Sequence, residues 1–448
     1  MRRYIALFLI TILLVFVVIG PNSSERSGPL VFTMGSADED SIPEMMIMSE
    51  PKRLLRAVIS NFEEDEFSLA KLVSVSEDEF EYLLSLQDDN GIIAQTPSKD
   101  HSIPYFSNMA ALAMLSNPRG YEPVKRYMEW YISHINKPDK YNVHGTMYDY
   151  KKHAGSWSAT HEYDSADSYA ATFLTLVLNY TQTTGDISFI TEHIQPFVEI
   201  AEVLIKLQDK DGLIWAKPRY YVKFLMDNAE NYRGLRDAEV LMTYLGRDDL
   251  AKRYGNSASL VAQGMETRMW LEDQQVYAWA VYGRWWPRVP QKKWYPDTVG
   301  QIYPVVFGVV DPQSDRASHL YAYLNLHYPE WTKGRIDDSF PWTVLAMMAT
   351  IMRDDARAVE YLTNVYDSTV SQGSRGYPWH SFESAFFVKA WTVLGTRHVA
   401  PVLAAVEAEA AIDAKTSVPS SEEEMQVGVL SRQTGEGTKT INTNDKPK

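Results

Sequence analysis

The sequence predicts an all-α fold, an (α/α)6 toroid in which six inner helices are enclosed by six outer helices. Three observations favour it: apolar segments alternate with amphipathic ones, glycine ends several apolar segments, and acids and aromatics recur just ahead of them. A helix without a polar face has to be enclosed by other helices, and an amphipathic helix is suited to enclose it. An open helical solenoid or a helix bundle is the alternative architecture.

The predicted helices form six pairs, each an apolar inner helix followed by an amphipathic outer helix. The inner helices are expected over Pro104–Ser116, Ala166–Tyr180, Ala229–Leu245, Asp297–Val310, Ser339–Met352 and Phe382–Leu394, and the outer helices over Tyr121–His134, Asp186–Leu207, Asp248–Leu271, Pro312–His327, Asp354–Val370 and Arg397–Ala411. Glycines such as Gly185 and Gly246 end apolar segments, where a left-handed cap costs glycine little. A further helix, Glu77–Leu86, is either an extra element or closes the ring in place of the last outer helix.

Composition excludes several classes of function. The chain of 448 residues carries a net charge of -15 and contains no cysteine. The acidic balance argues against a nucleic-acid partner, because phosphates require a basic surface. The lack of cysteine excludes disulfides, thiolate zinc sites and a cysteine nucleophile. No spaced cluster of histidines and acids indicates another metal site, so we expect no metal, no cofactor and a monomer.

The two ends of the chain differ from the part between them. Arg2 and Arg3 precede an uncharged run over residues 4–19. This pattern predicts an export signal in residues 1–20, either cleaved or kept as a membrane anchor, and a protein outside the cell or on its surface. The remaining expected segments are a flexible linker over residues 21–50, the toroidal domain over 51–412 and a disordered tail over 413–448.

Polar clusters stand at the predicted starts of the inner helices. They contain Tyr105 at the first, Asp164 and Asp167 at the second, Asp227 and Glu230 at the third, Asp337 and Asp338 at the fifth, and His380 and Glu383 at the sixth. Helix capping is the ordinary role of such residues, but one cap is enough for one helix. Because all inner helices of a toroid begin on the same face, we expect the surplus acids to converge on one pocket.

Large aromatic side chains are concentrated in the loops that lead to these helix starts. Trp285, Trp286 and Tyr295 lie in one loop, and Trp157 and Trp215 lie in corresponding loops earlier in the chain. Large aromatics in polar loops tend to mark binding surfaces. Flat rings beside carboxylates suit carbohydrate, because the C–H faces of sugars stack on them. The alternative is a loop packed on its own aromatic side chains.

Residues 75–410 resemble the six-hairpin glycosidase superfamily in their paired helices and in the acids at the inner helix starts. Asp227-Asn228-Ala229-Glu230, followed by Gly234, is similar to the acid-bearing segment of glucoamylase-like members. The resemblance implies hydrolysis of glycosidic bonds, with Glu230 as the general acid and Glu383, near the start of the last inner helix, as the base.

Other candidates have less definite roles. Asp164 and Asp167 do not match the glucoamylase pattern, and either of them is expected to act as the base or to hold sugar hydroxyls. The substrate-binding candidates are Trp157, Trp215, Asp227, Tyr232, Arg233, Trp285, Trp286, Tyr295, Asp337, Trp379 and His380. Arg233 is suited either to an acidic sugar or to an ion pair with a neighbouring acid.

Two other functions stay open at this level, and both take a carbohydrate partner. A polysaccharide lyase on the same toroid would abstract a proton with a tyrosine or histidine and neutralise a uronate with arginine. Its candidates are Tyr232, His161, His380, Arg233 and Arg375. A non-catalytic glycan-binding protein of the cell envelope would keep the aromatics and tolerate loss of the acids.

Overall fold

The computed structural model describes residues 66–371 and 375–398. The predicted export signal, linker and tail lie outside these residues, so those three assignments stay predictions. Of the last predicted outer helix, Arg397–Ala411, only Arg397 and His398 are described, and they continue the preceding helix. In the described part of the chain, no helix has both the length and the hydropathy of a membrane span.

The described residues contain thirteen α-helices and eight short strands. The helices are α1 (Glu66–Ser85), α2 (Pro104–Met114), α3 (Tyr121–His134), α4 (Ala166–Thr184), α5 (Ile187–Glu192), α6 (Ile194–Leu207), α7 (Leu225–Tyr244), α8 (Asp248–Gly264), α9 (Tyr303–Val306), α10 (Asp315–His327), α11 (Val344–Ile351), α12 (Asp355–Val365) and α13 (Ser381–His398). The strands are β1 (His101–Ser102), β2 (Tyr150–His153), β3 (Ser156–Ala159), β4 (Val222–Phe224), β5 (Trp270–Leu271), β6 (Val276–Tyr277), β7 (Ala280–Tyr282) and β8 (Trp286–Arg288). All the strands lie in loops between helices.

The inner helices form a closed ring. Helices α2, α4, α7, α9, α11 and α13 each contact the next, and α13 returns to α2. The outer helices α3, α6, α8, α10 and α12 each pack against the inner segment that precedes them. Buried apolar residues of both layers, such as Phe173 of the inner layer and Phe197 of the outer layer, form one continuous core. The predicted (α/α)6 toroid is therefore confirmed.

Helix α1 takes the place of the sixth outer helix. It contacts α13, α12 and α2, and its Phe80 and Leu83 are buried in the common core. The buried Glu79 accepts a hydrogen bond of 3.0 Å from the indole N–H of Trp379 and pairs with Arg375 at 2.9 Å. Of the two arrangements expected for this helix, the structure shows the one in which it closes the ring.

The fourth inner helix is broken, which corrects the continuous helix predicted over Asp297–Val310. The chain forms a π-helical turn (Trp294–Thr298), a 3-10 turn (Val299–Ile302) and only then α9. Pro296 and Pro304 lack the N–H that a continuous helical ladder requires. This wall of the ring is therefore built from short turns.

The fifth inner helix begins later than the sequence predicted. Helix α11 starts at Val344 and not at Ser339. Pro341 and Trp342 lie between the two positions, and Trp342 has a φ of 59°, which is outside the right-handed helical region. A bulky residue rarely adopts this conformation. The segment ahead of α11 is therefore an irregular loop.

Helices α4 and α7 approach each other closely at Gly234. A Cβ atom at this position would lie 2.5 Å from the Cα and 2.6 Å from the carbonyl oxygen of Ala171. These are backbone atoms inside a close-packed core, so they yield less readily than a flexible side chain. The contact sets the spacing of the two helices that carry Asp167 and Glu230.

Replacing this glycine, Gly234→Ala, is expected to lower the free energy of unfolding by about 1–3 kcal/mol, because overpacking outweighs the gain of alanine in a helix interior. Gly300→Ala is the matched control, since Gly300 is also buried in an inner segment but its Cβ would meet only side-chain atoms, at 3.8 Å. Chemical denaturation measures both variants. A Gly234→Ala protein as stable as the Gly300→Ala protein would contradict the close approach.

Candidate active site

A cavity of about 240 Å³ opens at the N-terminal ends of the inner helices. Every inner segment contributes to its lining, which consists of Ile103, Tyr105, Phe106, Asp164, Ser165, Ser168, Tyr169, Met226, Asp227, Glu230, Tyr295, Tyr303, Phe340, Trp342, His380, Phe382 and Glu383. Acids that are distant in the chain therefore face one space. Of the candidates taken from the sequence, Asp164, Asp227, Glu230, Tyr295, His380 and Glu383 lie here.

The acids at the inner helix starts do not serve as helix caps. The N-cap residues of α2, α4, α7 and α11 make no capping hydrogen bond with their side chains. By contrast, outer-layer helices α5, α10 and α12 are capped by the side chains of Asp186, Ser314 and Asp354. Uncapped helix N-termini around the cavity leave N–H groups available to polar groups within it.

Glu230 lies in the second turn of α7 and is 3% exposed. The hydroxyl of Tyr105 donates a hydrogen bond of 2.6 Å to its Oε1. Burial, reinforced by the charge of Asp227, raises the pKa of Glu230 to about 8, although the hydrogen bond from Tyr105 opposes the rise. Glu230 is therefore mainly protonated at neutral pH, the state that a general acid requires.

Glu383 lies in the first turn of α13 and is 1% exposed. The backbone N–H of Thr343 donates a 2.7 Å hydrogen bond to Oε2, and that of Trp342 donates a 3.2 Å hydrogen bond to Oε1. Burial raises the pKa of Glu383 to about 7, and the hydrogen bonds from Thr343 limit the rise. Because N–H groups at the start of α11 stabilise negative charge, Glu383 is better suited than Glu230 to the carboxylate form.

The hydrogen bond from Trp342 to Glu383 depends on strained backbone. The left-handed φ of Trp342 costs about 1–3 kcal/mol for a residue other than glycine. The indole N–H of Trp342 donates to Asp338 at 2.9 Å, and its ring stacks on Tyr295 with 5.3 Å between centroids. These contacts hold the strained conformation, in which both the backbone N–H and the ring of Trp342 contribute to the site.

The buried Asp167 and the partly buried Asp227 are bridged by Ser165. The Ser165 hydroxyl oxygen lies 3.0 Å from Asp167 Oδ1 and 2.8 Å from Asp227 Oδ2. A hydroxyl carries one proton, so it donates to one carboxyl group and accepts from the other. Burial and the charge of Asp227 hold the pKa of Asp167 well above its usual range, whereas burial raises that of Asp227 to about 6. Asp167 is therefore the protonated member.

Asp167 and Asp164 differ from the two glutamates in their access to the cavity. Asp167 is fully buried outside the cavity lining, and Asn231 donates a 2.7 Å hydrogen bond to it. A neutral group without access to the cavity does not fit the role of base that the sequence suggested. Asp164 lines the cavity, but its side chain is 93% exposed and lies 3.9 Å from Lys217. It therefore lacks the desolvation that acts on Glu230 and Glu383.

His380 lines the cavity and has one hydrogen-bond donor without a partner in the described part of the chain. Its Nδ1 accepts from the backbone N–H of Phe382 at 3.3 Å, which leaves the proton on Nε2. Nε2 is buried and has no hydrogen-bond partner in the described part of the chain. Burial lowers the pKa of His380 to about 4, so the ring is neutral at physiological pH. His380 is therefore a neutral residue of the lining whose buried Nε2–H group is unpaired among the described residues.

Four candidates on or near the inner helices lie outside the cavity. Arg233 forms an ion pair with Asp237 at 2.9 Å, the second of the two roles expected for it. Tyr232 stacks under Arg236, with 5.4 Å between the guanidinium carbon and the ring centroid. Trp379 is fully buried against α1, and Asp337 is exposed away from the lining. Their positions correct the prediction that they line the same pocket.

The loop tryptophans also lie outside the cavity. Trp157 donates a 2.7 Å hydrogen bond to Asp88, and Trp215 packs under Lys223, 3.9 Å from its Nζ. Trp285 and Trp286 are 69% and 72% exposed. Their predicted role in substrate binding stays a prediction, and Trp285 and Trp286 are open to a ligand outside the cavity.

Several cavity residues were not assigned a role from the sequence. Tyr105 was noted at a helix start, but its hydrogen bond to Glu230 was not foreseen. Tyr303, Phe340 and Trp342 also line the cavity. One pattern in the sequence could have indicated Phe340 and Trp342: they flank Pro341 shortly after the acidic pair Asp337 and Asp338. In the described residues, no group of three or more metal-ligating side chains is arranged to hold an ion.

Neither a family model nor a curated protein matches the chain, but solved structures do. A glycosidase with a glutamate-to-alanine substitution aligns at a TM-score of 0.57 and 12% identity, over 76% of this chain and 99% of that one. A rhamnosidase from Klebsiella oxytoca with rhamnose bound aligns at 0.53 and 12%, over 72% and 63%. A GH78 family rhamnosidase of Bacillus sp. GL1 aligns at 0.51 and 12%, over 71% and 34%.

At this level of identity the likeness shows the fold. It agrees with the closed ring of contacts among the inner helices and with the resemblance drawn from the paired helices of the sequence. The chain has the (α/α)6 toroid fold of the six-hairpin glycosidases.

Proposed function

We propose that the protein is a glycoside hydrolase in which Glu230 is the general acid and Glu383 the general base. The observation that carries the proposal is the presence, in one cavity, of two buried carboxyl groups with different environments. Glu230 is held protonated by desolvation and the neighbouring Asp227, whereas Glu383 accepts hydrogen bonds from two backbone N–H groups. Glycosidic-bond hydrolysis requires such an acid and base in one site.

In the proposed reaction, the bond between the anomeric carbon and the glycosidic oxygen breaks as Glu230 transfers its proton to that oxygen. A water molecule adds to the anomeric carbon, and Glu383 takes the proton that this water loses. The hydroxyl of Tyr105 stabilises the carboxylate left on Glu230. The aromatic rings of the lining would cover a sugar face.

Variants of a neighbouring glycosidase support the choice of residues. The solved structures include two glutamate-to-alanine variants, one with glucose bound, and a tyrosine-to-phenylalanine variant. The two glutamates are about as far apart in that chain as Glu230 and Glu383 are in this one. The tyrosine precedes the first glutamate by nearly the interval between Tyr105 and Glu230. A neutral hexose is therefore the first glycone to test.

The lyase alternative has less support. Arg233 and Arg375 form ion pairs outside the cavity lining, and no lysine or arginine is among the cavity residues of the described chain. Among the bases considered for a lyase, only His380 lines the cavity, and its lowered pKa makes it a weak base. A uronate at the reacting position would therefore lack a cation to neutralise it.

Export remains part of the proposal. The basic pair Arg2 and Arg3 ahead of the apolar run over residues 4–19 supports it. Cell fractionation is expected to place the protein in the exported or surface fraction. Its recovery only with cytoplasmic proteins would contradict this part of the proposal.

The role of Glu230 is tested with aryl glycosides of graded leaving-group acidity. Glu230→Gln is expected to lower kcat by about 10²–10⁴-fold on poor leaving groups, because the departing oxygen then lacks a proton donor, and by much less on dinitrophenyl glycosides. Glu383→Gln is expected to lower kcat on both kinds of substrate. Glu360→Gln, an exposed glutamate on α12, is the control.

Three outcomes would count against this assignment. An ultraviolet-absorbing unsaturated product would show a lyase. Glycan binding and biological activity that survive Glu230→Gln with Glu383→Gln would show a non-catalytic binding protein. Equal loss on good and poor leaving groups for Glu230→Gln would remove Glu230 from the role of acid.

The pH profile provides an independent prediction. Glu383 must be ionised, above about pH 7, and Glu230 must be protonated, below about pH 8, so kcat/KM is expected to be bell-shaped with limbs near those values. Tyr105→Phe removes a hydrogen bond that lowers the pKa of Glu230. The basic limb should therefore move to higher pH while the acidic limb stays in place.

Tyr321→Phe is the matched control for the pH profile, because Tyr321 also donates to a carboxylate, that of Asp354 at 2.9 Å, but on the outer layer. It should leave both limbs unchanged. A basic limb that moves to lower pH in Tyr105→Phe, or that moves equally in both variants, would disprove the assignment of that limb to Glu230.

A further inference from the structure

The sheet formed by β4, β7 and β8 presents an aromatic face to solvent. In the antiparallel register Val222 pairs with Tyr282 and Tyr282 with Trp286, while Phe224 pairs with Ala280 and Ala280 with Arg288. Cross-strand partners, and residues two apart on one strand, share a face of a sheet. Phe224, Tyr282, Trp286 and Arg288 therefore lie on one face, which is called the hairpin face below.

The opposite face of this sheet is buried on β4 and β7, while Pro287, on the edge strand β8, is exposed. Lys223 and Val281 on that face are fully buried, and Lys223 forms ion pairs with Asp209 and Asp211 at 2.8 and 2.6 Å. On the hairpin face Val222 and Ala280 are buried, Phe224 and Tyr282 are partly buried, and only the edge strand is exposed, where Trp286 is 72% exposed. The hairpin is thus anchored from behind while its aromatic edge stays in solvent.

Positive charge is concentrated on and beside the hairpin face. From Gln274 to Pro296 the chain has four basic residues and no acid, in a protein of net charge -15. The guanidinium of Arg288 lies 5.2 Å from the ring centroid of Tyr282, and that of Arg268 lies 5.1 Å from that of Trp285. Of the four basic residues, Arg284 forms an ion pair with Asp209 at 3.2 Å, whereas Arg288, like Arg268, forms no ion pair with a carboxylate within the described residues. The charges of Arg288 and Arg268 are therefore available to an anion.

The hairpin face adjoins the cavity through the chain at both of its ends. Phe224 directly precedes α7, whose first residues include Met226 and Asp227 of the cavity lining. Beyond Arg288 the chain returns to the cavity at Tyr295. A polymer with one unit in the cavity would therefore have neighbouring units within reach of this face.

We propose that the hairpin face binds an anionic polysaccharide, a polymer carrying uronate groups, outside the cavity. Aromatic rings stack on the C–H faces of sugars, and an arginine guanidinium matches a carboxylate with two parallel hydrogen bonds. The cavity lining has carboxyl groups and no cation among the described residues, so a neutral unit occupies the cavity and acidic units lie on the hairpin face. Only one part of this inference rests on the proposed function, namely that one unit of the polymer enters the cavity.

Binding is measured on the full chain carrying Glu230→Gln, so that no substrate is consumed. The probes are polygalacturonate, dextran as a neutral polymer, and single-stranded RNA, the other anionic polymer that stacks on aromatics. Polygalacturonate is expected to bind at least about tenfold more tightly than dextran or RNA, and its affinity should fall as salt rises. Adding Trp286→Ala or Arg288→Glu should each weaken polygalacturonate binding about tenfold.

Two matched controls lie away from the hairpin face. Tyr244 is 48% exposed at the opposite end of α7, and Lys252 is exposed on α8. Tyr244→Ala and Lys252→Glu should leave the affinity unchanged. Circular dichroism confirms that each variant is folded, and the polymer comparison and its salt dependence decide the question if one variant fails to fold.

The inference is overturned by equal affinity for polygalacturonate and dextran, by tighter binding of RNA, or by equal effects of the hairpin and control variants. Because binding is read without turnover, the result is separate from the proposed function. A wild-type protein that hydrolyses no glycoside would refute the enzyme but not the binding face. Hydrolysis without polymer binding would refute the face alone.

Discussion

The site depends on one constraint: its glutamate carboxyl groups are removed from water and have no cationic partner among the described residues. A charged carboxylate in an apolar environment is costly unless it is neutralised or hydrogen-bonded. Glu230 and Glu383 line the cavity with almost no exposure, and the described chain forms no ion pair with either of them. The fold meets the cost differently at each: a proton is retained on Glu230, and backbone N–H groups stabilise Glu383. The difference between the two solutions is what gives the groups different chemistry.

Asp167 and Asp227, which are bridged by Ser165, are also carboxyl groups with reduced access to water. Asp167 and Asp227 are brought together by the close approach of α4 and α7, which requires glycine at position 234. The hydroxyl of Ser165 accepts a hydrogen bond from the neutral Asp167 and donates one to the charged Asp227. The neutral Asp167 permits the burial, and the charge retained by Asp227 raises the pKa of Glu230. The spacing of α4 and α7 therefore affects the pKa of Glu230.

The features that the sequence predicted well are those that depend on composition over many residues. The outer helix Tyr121–His134 has the predicted bounds. Its amphipathic pattern is regular, an acid lies in its first turn and a histidine lies in its last turn. The surplus of acids at the starts of apolar helices predicted that such groups converge on one pocket, and Glu230 and Glu383 do line one cavity. The choice of these two among the acids came from the resemblance to glucoamylase-like members, and their roles stay predictions.

The features that the sequence missed depend on which way a single residue faces. Trp379 and Trp342 both precede inner helices and both are aromatic, yet one is packed against α1 and the other lines the cavity. Asp167 and Asp227 both lie in the first turn of an inner helix, and only the crossing of the two helices decides which of them reaches the cavity. The left-handed φ of Trp342 occurs without the glycine that usually signals it.

The position of α1 has a consequence for the order in which the molecule is completed. This helix lies early in the chain and packs against α13, which lies near the end of the described residues. A nascent chain emerging from the ribosome therefore holds the first half of this seam without its partner α13 until the last inner segment has been synthesised. Folding is consequently governed by a contact between distant parts of the polypeptide, and such contacts slow folding because a long loop must close first.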